Sequence, residues 1–164
     1  MVSETSEEVM RVLVIGSGPV VIGQSAEFDY AGTQACRILR ERSIYTILLN
    51  SNPATIQTDN YNADRVYIEP INVDNAERII ETEGVTHIIG SMGGQTALNL
   101  VMELHNSGYL REKNVKILGT QPESIRIAED RELFHSVKVL PRPRSRVGLK
   151  NHKDCNQKTL ILIL

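Results

Sequence analysis

Residues Arg11 to Asp29 read RVLVIGSGPVVIGQSAEFD, and this stretch decides the fold. It opens with Val12-Leu13-Val14-Ile15, a continuous run of β-branched and aliphatic residues expected of a strand buried on both faces. The run stops at Gly16-Ser17-Gly18-Pro19, a tight turn whose two glycines have access to backbone angles closed to other residues. After Gly23 a helical period begins, with Phe28, Ala31, Ala35, Ile38 and Leu39 on one face. Strand, glycine turn and helix form the opening unit of a parallel α/β fold. Such a turn aims backbone N–H groups at whatever lies beyond the strand end.

The stretch falls just short of two phosphate-binding motifs. A dinucleotide fingerprint, G-x-G-x-x-G, needs its third glycine at Val21, but the glycine arrives at Gly23; the acidic ribose ligand at the end of the second strand is replaced by Asn50. The P-loop pattern fits from Gly18 to Ser25 except at its lysine, which is Gln24, so the main point charge on a γ-phosphate is missing. Glu27 and Asp29 complement the helix dipole but repel a phosphate placed there. A turn made for close packing and a turn with a ligand beside it both remain open at this point.

Further along, apolar runs alternate with helical patterns. Tyr45 to Leu49 form a second strand ending at Asn50, followed by the polar loop Ser51-Asn52-Pro53-Ala54-Thr55 and Asp59 to Asn62; an ordinary Asn/Pro turn is the simpler reading of that loop. Arg65 to Ile68 make a third strand. Val73 to Glu83 make a helix that buries Ala76, Ile79 and Ile80 and stops at Gly84. Thr86 to Ile89 make a fourth strand, which ends in the second glycine-rich turn, Gly90-Ser91-Met92-Gly93-Gly94-Gln95. The next helix carries Ala97, Leu98, Val101 and Leu104 as its buried stripe and ends at Gly108. Val115 to Leu118 are a fifth strand, and Thr120 to Glu123 read as a capping box with Thr120 as N-cap. The pattern predicts a Rossmann-like open parallel α/β sheet of five strands, order 3-2-1-4-5. The two glycine turns then face one crevice, with Gly16, Gly18, Gly23, Gly93, Gly94 and Gln95 as candidate lining. His87 within an apolar strand and His105 near a helix end are structural on this reading.

Composition narrows the classes. With 18 basic and 20 acidic residues the net charge is −2, which argues against a nucleic-acid or membrane-surface partner. Apolar runs are too short to span a bilayer, and the acidic start MVSETSEEVM is not a signal peptide. Cys36 and Cys155 do not make a disulfide framework, so a cytoplasmic protein with reduced thiols is expected.

Five blocks go beyond generic α/β: GSGPVVIGQSAEFDYAGTQACRILRE, LLNSNPATIQTD, ADRVYIEPI, MGGQTALNL and GTQPESIRIAEDRELF. Their series resembles the start of the carbamoyl-phosphate synthase large chain, in the first of its two homologous halves, over about residues 11 to 134. The resemblance implies a pre-ATP-grasp domain, with residues 1–10 a flexible arm and 11–136 the domain. It further implies an ATP-grasp domain elsewhere that holds most of the nucleotide and the magnesium ligands. The family's chemistry uses ATP to phosphorylate bicarbonate, ammonia from a glutaminase small chain to form carbamate, and a second ATP to yield carbamoyl phosphate, for arginine and pyrimidine synthesis. By position, Arg131 matches a family arginine that contacts ATP phosphate oxygens, a role suited to a guanidinium fork.

Residues 137–164 depart from the family pattern. The basic, proline-spaced run from Val139 and the final Thr159 to Leu164 neither complete a helix nor lead into an ATP-grasp domain, as if by truncation or a shifted frame. The expectation is an irregular tail, poorly packed apart from the last six residues, and a chain inactive alone. Two alternatives compete: a stand-alone subunit that docks on a separate ATP-grasp chain, and a nicotinamide-dependent oxidoreductase domain.

Overall fold

The computed structural model describes residues 9–19 and 25–130, with side chains of the first helix from Glu27 onward. The elements are β1 (Arg11–Ile15), α1 (Ser25–Glu41), β2 (Tyr45–Asn50), a 3-10 turn (Ile56–Thr58), β3 (Arg65–Ile68), α2 (Val73–Glu83), β4 (His87–Ile89), α3 (Gly94–Asn106), α4 (Tyr109–Glu112), β5 (Lys116–Leu118) and α5 (Pro122–Glu129). The strands form one parallel sheet in the order β3-β2-β1-β4-β5, as the sequence pattern predicts. β1 lies at its centre, with Val12 opposite Thr46 on one side and His87 on the other.

The continuous apolar runs are explained by burial on both faces. Leu13, Ile15, Ile47, Leu49 and Ile88 pack against Ala76 and Ile79 of α2 and Ala97, Val101 and Leu104 of α3. Their sequence neighbours Val12, Val14, Leu48 and Ile89 point the other way, onto Cys36 and Leu39 of α1. Each fully buried Leu or Ile contributes roughly 2 kcal/mol, so these two layers are the main source of stability. α2 has well-formed ends: Asn72 accepts from the Asn75 N–H at 2.9 Å, and Gly84 closes the helix at φ 60°.

Three local expectations are corrected. α5 has Gln121 as N-cap, with no side-chain capping bond, and Pro122 follows it, so the Thr120 capping box does not form. Proline's fixed φ and missing N–H suit the first helical position, which sets the start one residue later than the box requires. In α3 the buried stripe is Ala97, Leu100, Val101 and Leu104, with Leu98 only half-buried. Gly108 ends α3 as expected, at φ 82° directly after the Ser107 cap, and also opens the short helix α4. Among the described residues of the first turn only Gly18 uses a left-handed angle, φ 78°; Gly16 has an ordinary one and serves a close approach instead. The expectations for residues 1–8 of the arm, for Gly23, Leu133, Phe134 and Cys155, and for the tail 137–164 lie outside the described residues.

Candidate functional site

The carboxyl ends of the central strands β1, β2 and β4 carry the three loops from which a site would be built. Gly93 sits directly on the end of β1: a Cβ there would stand 2.3 Å from the Gly16 carbonyl oxygen and 2.6 Å from that of Ile15. The two glycine turns are therefore in contact on one edge of the sheet, at the switch point where β1 and β4 are neighbours. Gly94, the first residue of α3, takes φ 67° and lies against the Phe28 ring of α1.

Behind the first turn lies a buried polar knot that the sequence pattern did not reveal. The Asn50 side chain is fully buried, and its Oδ1 accepts from the backbone N–H of Gly18 at 3.1 Å and of Asn52 at 3.3 Å. Its Nδ2 is thereby committed as a donor, to Gln57 Oε1 at 2.8 Å. Gln57 is also fully buried; its backbone N–H is capped by Thr55 Oγ1 at 2.9 Å, and its Nε2 faces Gly32 of α1 without a hydrogen-bond partner. Thr58 closes the 3-10 turn onto the Thr55 carbonyl at 2.9 Å. The loop expected to be an ordinary Asn/Pro turn is thus a folded-in support for the glycine turn. The run of Asn, Thr and Gln residues between Asn50 and Asn62 was the available signal, but polar composition alone does not distinguish an inward from an outward loop.

In the described part of the first turn, residues 16–19, most hydrogen-bond donors already have partners. Gly16 N–H donates to the Leu49 carbonyl at 2.8 Å, Ser17 Oγ donates to Asp29 at 2.9 Å, Gly18 N–H is held by Asn50, and Pro19 has no N–H. The amino end of α3 differs, since its N-cap Gly93 offers no side chain. Gln95 at that end is exposed and donates to Asn99 at 2.9 Å and to Glu129 at 2.8 Å, tying the start of α3 to the end of α5. Arg131 itself, two residues beyond Glu129, lies outside the described residues.

Charged chemistry gathers at the opposite edge. Tyr67 donates its hydroxyl to Glu83 at 2.6 Å, Arg11 donates to the Glu83 carbonyl, and the Arg11 guanidinium lies 4.6 Å from the Tyr45 ring centre. Burial first, and then Glu83, push the Tyr67 phenol up to about 12. This cluster joins β1, β2, β3 and α2 and is read as structural. His87 likewise contacts Thr86 Oγ1 through Nδ1 at 2.8 Å. A cavity of about 370 Å³ has none of the glycine-turn residues in its lining, which includes His105, Leu110, Arg111, Val115, Ile117 and Pro122. Among the described residues no group of three or more His, Cys, Asp or Glu is placed to hold a metal ion, and no helix is long and apolar enough to cross a membrane. These described residues therefore do not by themselves fit magnesium, and the described part of the first glycine turn, residues 16–19, does not fit a nucleotide phosphate.

Comparison with known proteins bears on the whole sheet. In the solved structures the fold recurs in the biotin carboxylase domain of a thermophilic 2-oxoglutarate carboxylase bound to bicarbonate, with TM-score 0.51 and 18% identity over 77% of this chain and 27% of that one. It recurs also in N5-carboxyaminoimidazole ribonucleotide synthetase from Thermus thermophilus, with TM-score 0.50 and 12% identity over 77% of this chain and 28% of that one. Carbamoyl phosphate synthase large chains are much nearer in sequence. The Thermoplasma acidophilum chain is 60% identical over 139 residues, covering 84% of this chain and 13% of the relative; the Thermoplasma volcanium chain is 54% identical over 152 residues, covering 90% and 15%. This chain thus spans about one-seventh of the length of those relatives. Residues 8–127 match the carbamoyl phosphate synthase preATP-grasp domain, and the chain belongs to that family.

Proposed function

We propose that residues 11–136 form the opening domain of a carbamoyl-phosphate synthase large chain and act as one wall of its first ATP site. The observation that carries this reading is the 60% identity to the Thermoplasma acidophilum large chain over 84% of this chain but only 13% of that relative. On this reading the rest of the large chain, or a separate ATP-grasp chain, supplies the magnesium ligands and most nucleotide contacts, and a glutaminase small chain supplies ammonia. When bound there, MgATP would drive phosphorylation of bicarbonate, and a second ATP the later phosphorylation of carbamate.

This chain's own contribution is positioning. The interlocked glycine turns form a rigid base, and the Gln95–Glu129 hydrogen bond holds the end of α5, from which the chain runs on to Arg131. Arg131 contacts ATP phosphate in this proposal. Alone, the domain does not turn over and binds ATP weakly: one exposed charge contact is worth roughly 1 kcal/mol or less, against about 8 kcal/mol for a micromolar complex. Calorimetry with MgATP on the isolated chain tests this. Weak or no heat is expected; micromolar affinity lost in Arg131→Ala, or bicarbonate-dependent ATP hydrolysis by the isolated chain, would overturn it.

A further inference from the structure

In dinucleotide-binding relatives of this topology, the turn after the first strand presents backbone N–H groups to a phosphate, and the residue ending the second strand faces the ribose. Here both positions are used by each other. Asn50 ends β2, yet its side chain turns inward under Gly16, whose missing Cβ leaves room: a Cβ there would stand 2.6 Å from Asn50 Cγ. The carboxamide oxygen then accepts the N–H of Gly18, the residue held at φ 78°, from inside the protein. A second N–H, from Asn52, converges on the same oxygen. The oxygen is thus shared between one N–H of the glycine turn, the kind of group by which turns bind anions, and one N–H of Asn50's own loop. The Gln57 contact keeps Asn50 from rotating away, because it fixes which end of the amide faces the turn.

We infer that Asn50 is a built-in partner of the first glycine turn, its carboxamide oxygen taking the Gly18 N–H that a ligand phosphate oxygen would otherwise take, so that this N–H is closed to nucleotide phosphates. Asn50 is thus a specificity-determining residue: it converts a phosphate cradle into a rigid support. This inference is independent of the ATP-grasp reading, because it concerns a turn that reading leaves without a ligand.

Amide-resolved NMR on the full 164-residue chain tests it, with inorganic pyrophosphate as probe and NAD as a second. In the wild type the Gly18 amide should be protected from hydrogen exchange and unmoved by millimolar pyrophosphate or NAD. In Asn50→Ala its protection should fall by about tenfold or more, as expected for losing one buried hydrogen bond, and pyrophosphate should shift it. Asn50→Asp, which keeps an acceptor oxygen, should retain protection. A saturable pyrophosphate shift of Gly18 in the wild type would overturn the proposal, as would unchanged protection in Asn50→Ala. Should the alanine variant not fold, the wild-type titration and the Asn50→Asp protection decide it.

Discussion

The Gln57 side chain lies flat against Gly32 of α1, so closely that a Cβ at position 32 would stand 1.6 Å from Gln57 Nε2. Gln57 has little freedom to retreat, since Asn50 holds its other amide atom at 2.8 Å. Gly32→Ala should therefore destabilise the domain by about 2 kcal/mol or more, as overpacking does, beyond any gain in helix propensity. A double-mutant cycle with Gln57→Ala, followed by urea unfolding, should show most of that cost vanish when Gln57 is truncated. An additive cycle would mean that Gly32 matters for another reason.

Gly93→Ala should be worse. The added Cβ meets the backbone carbonyl oxygens of Gly16 and Ile15, not the end of a flexible side chain. Relief requires the β1 end and the α3 start to separate, so a loss of about 3 kcal/mol is expected. Gly84 is the control: nothing lies within 4 Å of a Cβ there, and only its φ of 60° resists substitution. Gly84→Ala should cost about 1 kcal/mol. Equal costs at the two glycines, by denaturant titration, would refute the close-contact account.

Stability should fall at alkaline pH. Burial pushes the Cys36 thiol from 9.0 up to about 12. The sign follows from linkage: above pH 9 the unfolded thiol loses its proton while the folded one keeps it, so the unfolded state gains. The contribution is complete below pH 9 and is lost between about pH 9 and 12, with a slope of about 1.4 kcal/mol per pH unit. Cys36→Ala should flatten the unfolding free energy between pH 9 and 10; above pH 10, Tyr67 and Tyr109, both also raised to about 12, add their own loss. Labelling of the Cys36 thiol should stay slow until the protein unfolds.

Asn72→Ala removes the side-chain cap of α2, whose Oδ1 accepts from Asn75 N–H at 2.9 Å. The expected loss is about 1 kcal/mol, read as a lower urea midpoint with an unchanged slope. Asn72→Ser or Asn72→Asp should recover most of it.

What this chain's sequence determines by itself is the architecture. A continuous apolar run such as that of β1 cannot be half-exposed, so the central strands β1 and β2 need cover on both faces; the helices that follow β1, β3 and β4 then favour parallel pairing, and the strand order follows from the connection rules. The bounds of α2 and its stop at Gly84 were legible because Gly84 acts locally, its N–H bonding Ile80 four positions back; the Asn72 cap was found only in the structure. Family membership was legible too, carried by five blocks rather than by any single glycine. Tertiary structure alone decided what the glycines and amides are for. Gly16 yields to Asn50, Gly32 to Gln57 and Gly93 to the end of β1, and each of these pairs brings together residues from different elements. No local pattern distinguishes a glycine needed for its backbone angle from one needed for another chain segment's approach, and none shows that an asparagine at a strand end turns inward. Those outcomes depend on volume and hydrogen-bond donors meeting in space, which the chain acquires only once the sheet is assembled.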